Sequence, residues 1–388
     1  MNRCSVRCVL LLALALLLIA AVWSGPAIWK WYQLSRVTAD SRAYQPRELV
    51  AGANQPPAPR MAPDLEQLNR AGLDEAAAYA GAHGSRALIV SRHGYIVYER
   101  YWQGTSFDTL TDAQSFTPLL AGLAAGVAVS HRMIGWPDEP VAAFIGEWSQ
   151  DARGAITVRN LMQYESGLAP ALNPASSADL RAALLGERLV GPAGSARVEK
   201  PADPLLLALL IERATRQRYA SYLSQALWRR LGAADAWLWL DGAGGTAHAD
   251  CCLIARQGDW IRLGELLLRD GNYRGSELIR PGWITLMRAP SKADPDHGAY
   301  LTLASARKPN QEPYATPDVF VVQGQGGNRL WLVPSLQLAI LCTGAPAGRD
   351  AAWDDARVPN LIIRTARDYV PPPAKPAGVS SLVPGHQP

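Results

Sequence analysis

Strand-type patterns lie at the two ends of the folded part of this chain, with helical patterns between them. Near the N-terminal end, residues 87–90 and 95–102 flank Ser91-Arg-His-Gly94, a hairpin in which Gly94 supplies the turn. Near the C-terminal end, residues 319–322, 330–333 and 338–342 form three short apolar runs joined by turns. Apolar residues recur at helical spacing over 64–82, 111–134, 203–216, 219–231, 259–270 and 354–368. That layout predicts an α/β fold of the α+β kind: an antiparallel sheet built from N- and C-terminal strands, flanked by helices, with a helical subdomain. No repeat of 20–50 residues interrupts it.

The 388 residues are 48% hydrophobic and 19% charged, enough to bury a large core. A net charge of +4, with no basic stripe interleaved with aromatics, argues against nucleic acid as a partner. Arginine greatly outnumbers lysine, and a guanidinium does not accept a proton in a protein, so candidates for a lysine base are few. Arg3 and Arg7 precede an apolar run from Cys8 to Trp23, continued by Ala27-Ile-Trp29, which approaches the roughly 17–25 residues of a spanning helix. Positive charge before that run orients the rest of the chain outward, and Trp23, Trp29, Trp31 and Tyr32 resemble an interfacial belt. Residues 1–36 therefore read as an uncleaved signal anchor, with a cleaved signal peptide as the alternative. The expected location is the bacterial inner membrane, with the domain facing the periplasm or the outside. Residues 37–63 read as a tether, 64–370 as one domain and 371–388 as a proline-rich tail. Cys4 and Cys8 belong with the anchor. Cys251, Cys252 and Cys342 form no disulfide framework, although one bond from Cys342 to the adjacent pair is compatible with an oxidising compartment.

Several stretches, taken in order, resemble one family. The hairpin of 87–102 is followed by Ser115-Phe-Thr-Pro-Leu-Leu-Ala-Gly-Leu-Ala124, Asp138-Glu-Pro-Val141, and Ile156-Thr-Val-Arg-Asn-Leu-Met162 with Ser166-Gly-Leu168. Ala202-Asp-Pro-Leu-Leu206, Cys251–Trp260 with Gly264–Gly271, and Gly324-Gln-Gly-Gly-Asn328 complete the series. Over roughly 87–369 the chain resembles the serine β-lactamases and penicillin-binding proteins, in particular class C β-lactamases and 6-aminohexanoate-dimer hydrolases. The resemblance implies a serine at a helix start with a lysine one turn on, a tyrosine of a Tyr-x-Asn or Tyr-x-Ser motif, and an oxyanion hole of backbone N–H groups.

At those positions this chain differs. The nucleophile position is Thr111, the lysine position is Gln114, the tyrosine position is Glu199 and the Asn position is Pro201. Thr111 keeps a hydroxyl but crowds it with a methyl, and Gln114 cannot accept a proton at neutral pH. Thr111 and Gln114 then serve as a helix N-cap and its capping-box partner. The catalytic positions Thr111, Gln114 and Glu199 are accordingly read as degenerate. The expected function is a membrane-anchored pseudoenzyme that binds a peptide, amide or cell-wall-derived ligand; the alternative is a weak or rewired amide or ester hydrolase with Thr111 as nucleophile and Glu199 as base. Tyr164, Gln323, Gly324, Gly326, Gly327 and Asn328 are expected to line the ligand cleft. Neither a metal nor a cofactor is expected: His248-Ala-Asp-Cys-Cys252 has ligand residue types but no second cluster, and reads as core packing. Ser305-Ala-Arg-Lys308 spells Ser-x-x-Lys too late in the chain to be the nucleophile helix.

Overall fold

The computed structural model describes residues 41–112, 116–170, 172–177, 179–306, 311–323, 327–344 and 352–371. Its strands are β1 (Arg47–Val50), β2 (Ala87–Arg92), β3 (Tyr95–Tyr101), β4 (Leu110–Asp112), β5 (Ala236–Trp239), β6 (Leu253–Arg256), β7 (Asn272–Tyr273), β8 (Ser276–Glu277), β9 (Thr302–Leu303), β10 (Phe320–Gln323), β11 (Arg329–Val333) and β12 (Leu338–Thr343). The principal sheet has the order β3-β2-β12-β11-β10-β9 and is antiparallel throughout. The two ends of the chain meet in it at β2 and β12, where Ala87 faces Thr343 and Arg92 faces Leu338.

Every residue of β2, β11 and β12 is buried, because helices cover both faces of this sheet. Alternate residues divide between two cores. Leu88, Val90, Trp331, Ile340 and Cys342 pack against helices α1 (Arg70–Ala82) and α5 (Arg357–Ile363). Ile89, Leu330, Leu332, Ala339 and Leu341 pack into the larger core, which holds helices α2 (Phe116–Ser130), α3 (Ala202–Thr215) and α4 (Trp260–Leu268). The hairpin turn joining β2 to β3 uses both His93 (φ 50°) and Gly94 (φ 90°) in the left-handed region, as a two-residue turn between twisted strands requires. Asn69 caps α1 by accepting a hydrogen bond from the Ala71 amide, so the helix begins at Arg70 and not at 64.

A second, four-stranded sheet, β1-β5-β6-β4, was not foreseen. It changes two expectations. Residues 47–50 are not free tether but a strand on β5, and the Tyr44 ring stacks on Trp239 at 4.0 Å. Residues 110–112 are a strand as well, and the helix that follows begins only at Phe116. The helix expected over 219–231 is Tyr219–Leu223, continued by a π-helical turn, Ser224–Trp228. Cys251 is joined to its neighbour Cys252, whereas Cys342 is a buried free thiol whose sulfur lies 3.3 Å from Ser85 Oγ. A bridge from Cys342 is therefore absent: the residue sits mid-strand on the α1/α5 side, away from the pair. The anchor expected over 1–36 lies outside the described residues; among those described, no helix is long and apolar enough to cross a membrane.

Candidate functional site

The short strand β4 carries Thr111 to the start of the buried helix α2. Thr111 pairs with Ala255 of β6, and its Oγ1 is buried with no hydrogen-bond partner. It is extended, not a helix N-cap, which suits a β-branched residue completing a sheet edge. Gln114, the expected lysine position and capping-box partner, lies outside the described residues. Asn328 closes the site from the principal sheet. Its Nδ2 donates to the Asp112 carbonyl at 3.0 Å, and its Oδ1 accepts from the Gly344 amide at 3.3 Å. Asn328 is thereby held beside Asp112, the neighbour of Thr111. Gly327 (φ 74°) needs the left-handed region there; Gly324 and Gly326 lie outside the described residues. Gln323 turns toward the sheet edge, where its Nε2 donates to Thr302 Oγ1 at 3.1 Å.

A second group of candidate residues lies on the loop from Gln163 to Leu168. Tyr164 takes φ 59°, uncommon for a bulky side chain and typical of functional sites. Tyr300 meets its ring edge-on at 5.1 Å, and the Arg197 guanidinium lies 5.4 Å from its centre. Burial, reinforced by the charges of Glu199 and Asp203, pushes the Tyr164 phenol well above its ordinary range. It therefore remains protonated at neutral pH and is no phenolate base. Gly167 (φ 73°) allows the loop to pass Gly191, whose carbonyl would lie 2.2 Å from any Cβ.

Glu199, at the family's tyrosine position, is exposed. The buried groups are its neighbours. The Lys200 ammonium lies 3.9 Å from Asp203 Oδ2, with the two side chains 2% and 0% exposed, and Ser166 Oγ donates to Asp203 Oδ1 at 2.6 Å. Burial drives the Asp203 carboxyl up to about 7, against the opposing pull of Lys200 and of the Ser166 hydrogen bond. Sequence reasoning passed over this Ser166–Asp203–Lys200 cluster. Its one signal was the i, i+3 spacing of Lys200 and Asp203 around a helix start, and burial is not visible in spacing. Ser305 lies just beyond β9, the edge strand of the principal sheet, whereas β4 belongs to the other sheet; Lys308 is outside the described residues.

A strand pair at the cleft, a buried small-residue helix behind it and a principal sheet closed by the chain's two ends together specify a fold. The family model described as Beta-lactamase matches residues 67–357. The chain belongs to the β-lactamase family. Among curated relatives, the 6-aminohexanoate-dimer hydrolase of Paenarthrobacter ureafaciens is 25% identical over 305 residues, covering 72% of this chain and 74% of the relative. Two solved structures share the fold. A Bacillus anthracis protein provisionally named a 6-aminohexanoate-dimer hydrolase superposes with a TM-score of 0.66 at 17% identity, covering 86% of this chain and 91% of its own. A penicillin-binding protein homologue from Caulobacter crescentus gives 0.61 at 19% identity, covering 78% and 97%. Of the residues singled out by the motifs, Asn328 is tied to β4 through the Asp112 carbonyl next to Thr111, while Glu199 lies exposed on the segment before α3.

Proposed function

We propose that this β-lactamase-family protein is tethered to the inner membrane by its N-terminal segment, faces the periplasm, and holds a peptide, amide or cell-wall-derived ligand in its cleft without hydrolysing it. The observation that carries this reading is the Thr111 hydroxyl. It is buried and has no acceptor among the described residues to polarise it. A hydroxyl needs an adjacent base to become a nucleophile, and a missing general base typically costs about 10²–10⁴ in rate. Glu199 supports the same reading, since it is exposed to water, and Tyr164 is held protonated.

The rewired-hydrolase alternative has one observation in its favour. A buried amine, Lys200, lies in the segment where the family keeps its tyrosine, paired with a carboxyl that titrates near neutrality. One experiment separates the two readings. The full-length protein, recovered from the membrane fraction in detergent, is treated with a fluorophosphonate probe, fluorescent penicillin and a panel of short amides and esters, beside Thr111→Ala. The expected outcome is no covalent label and no turnover in either protein, with ligand-induced thermal stabilisation by cell-wall fragments. Label or turnover that disappears in Thr111→Ala would sink the binding-protein reading. Recovery only in the soluble fraction would remove the tether.

A further inference from the structure

At the start of β6, four residues that the cleft does not use come together. His248 is 2% exposed, and neither of its ring nitrogens has a hydrogen-bond partner. Its ring is met edge-on by Tyr44 at 6.4 Å and Trp239 at 6.5 Å. Its Nδ1 lies 3.3 Å from Asp250 Oδ1, yet that oxygen too is buried without a hydrogen bond. Buried polar atoms are nearly always paired, and an orphaned His248 nitrogen facing an orphaned Asp250 oxygen calls for a group that satisfies both. Cys251 supplies a third donor type: one atom each from His248, Asp250 and Cys251 all fall within 4.8 Å of one another.

Those distances suit ligands of one shared metal ion. Ligand atoms about 2.0–2.3 Å from a tetrahedral zinc lie roughly 3.3–3.8 Å from each other. The His248–Asp250 separation already has that value, and the Cys251 sulfur lies within 4.8 Å of both. In the structure the Cys251 sulfur is committed to Cys252, and a disulfide sulfur carries no thiolate charge for a metal.

We propose that reduction of the Cys251–Cys252 bond opens a binding site for a zinc-class divalent ion formed by His248, Asp250 and the Cys251 thiolate. A dithiol protein supplies the reducing equivalents. Its two thiols become a disulfide, and the two electrons and two protons pass to the sulfurs of Cys251 and Cys252. The entering ion then displaces the Cys251 proton to solvent. Three protein ligands leave the fourth tetrahedral position for water or an exogenous donor.

The test uses the full-length chain with Co²⁺ and Zn²⁺ as the probe ions. Cys252→Ser frees the Cys251 thiol without any reductant. This variant is expected to bind one ion per chain, with a thiolate-to-cobalt charge-transfer band that zinc abolishes. The oxidised wild-type chain is expected to bind none, and to gain the site once treated with a dithiol that is then removed. Adding Cys251→Ser or His248→Ala to Cys252→Ser should weaken binding by more than the roughly 10–100-fold that loss of an outer partner costs. Should the His248 change unfold the chain, Asp250→Asn, nearer the surface, replaces it. Absence of the band in folded Cys252→Ser, or binding indifferent to Cys251 and His248, would overturn the proposal.

Discussion

The carboxyl of Asp203 is asked to be buried, to accept from Ser166 and to face Lys200, and these demands do not agree on its charge. Burial dominates and pushes its pKa up to about 7. An unfolded chain would release that proton near pH 4. The folded state therefore binds more protons between about pH 4 and pH 7. The stability this confers is complete below about pH 4 and is lost as the pH rises to about 7. Urea denaturation across that window should show the wild type losing stability relative to Asp203→Asn, which keeps an acceptor for Ser166 but cannot titrate. Parallel curves would mean the carboxyl is ionised throughout. Thr111, Glu199 and Asn328 could be singled out from the sequence because motif order survives substitution. The Lys200–Asp203–Ser166 cluster was not, because nothing in a sequence says that a lysine beside an exposed glutamate points inward.

Helix α4 lies against the principal sheet through Gly264. A Cβ there would come within 2.7 Å of the Ala339 Cβ on β12, a distance that packed carbons do not reach. Gly264→Ala is expected to destabilise the domain by about 1–3 kcal/mol through overpacking, read as a lower thermal midpoint. Adding Ala339→Gly should restore part of the loss, and no coupling between the two changes would show that the helix simply moves away. Helix α4 was legible because it is amphipathic and long enough to display its period. Strand β4 was not. Three residues give no alternation to read, and the helical pattern of α2 runs up to them, so Thr111 looked like a cap.

The principal sheet could be anticipated from its apolar runs, whereas the second sheet could not: β1 and β4 are only four and three residues long and are specified by partners distant in sequence. That sheet gives residues before Ala51 a structural role. Val50 is fully buried, and Tyr44, 2% exposed, donates from its hydroxyl to the Leu240 carbonyl at 2.9 Å. A chain beginning at Ala51 is expected to be less stable than one beginning at Ser41 by about 3–6 kcal/mol, from losing two such buried side chains. Chemical denaturation of the two should show it, and equal midpoints would return residues 41–50 to the role of a tether.

The β2–β12 pairing also sets a timetable. Ser85 and Cys342, in contact in the finished molecule, are 257 positions apart. At about 5–20 residues per second, a ribosome delivers the second roughly 13–50 seconds after the first. Throughout that interval the hairpin has an unpaired central edge and two apolar faces with no cover. The newborn chain is thus an aggregation hazard for most of its synthesis, and its yield in a cell should depend on chaperones that hold it open until the last strand arrives.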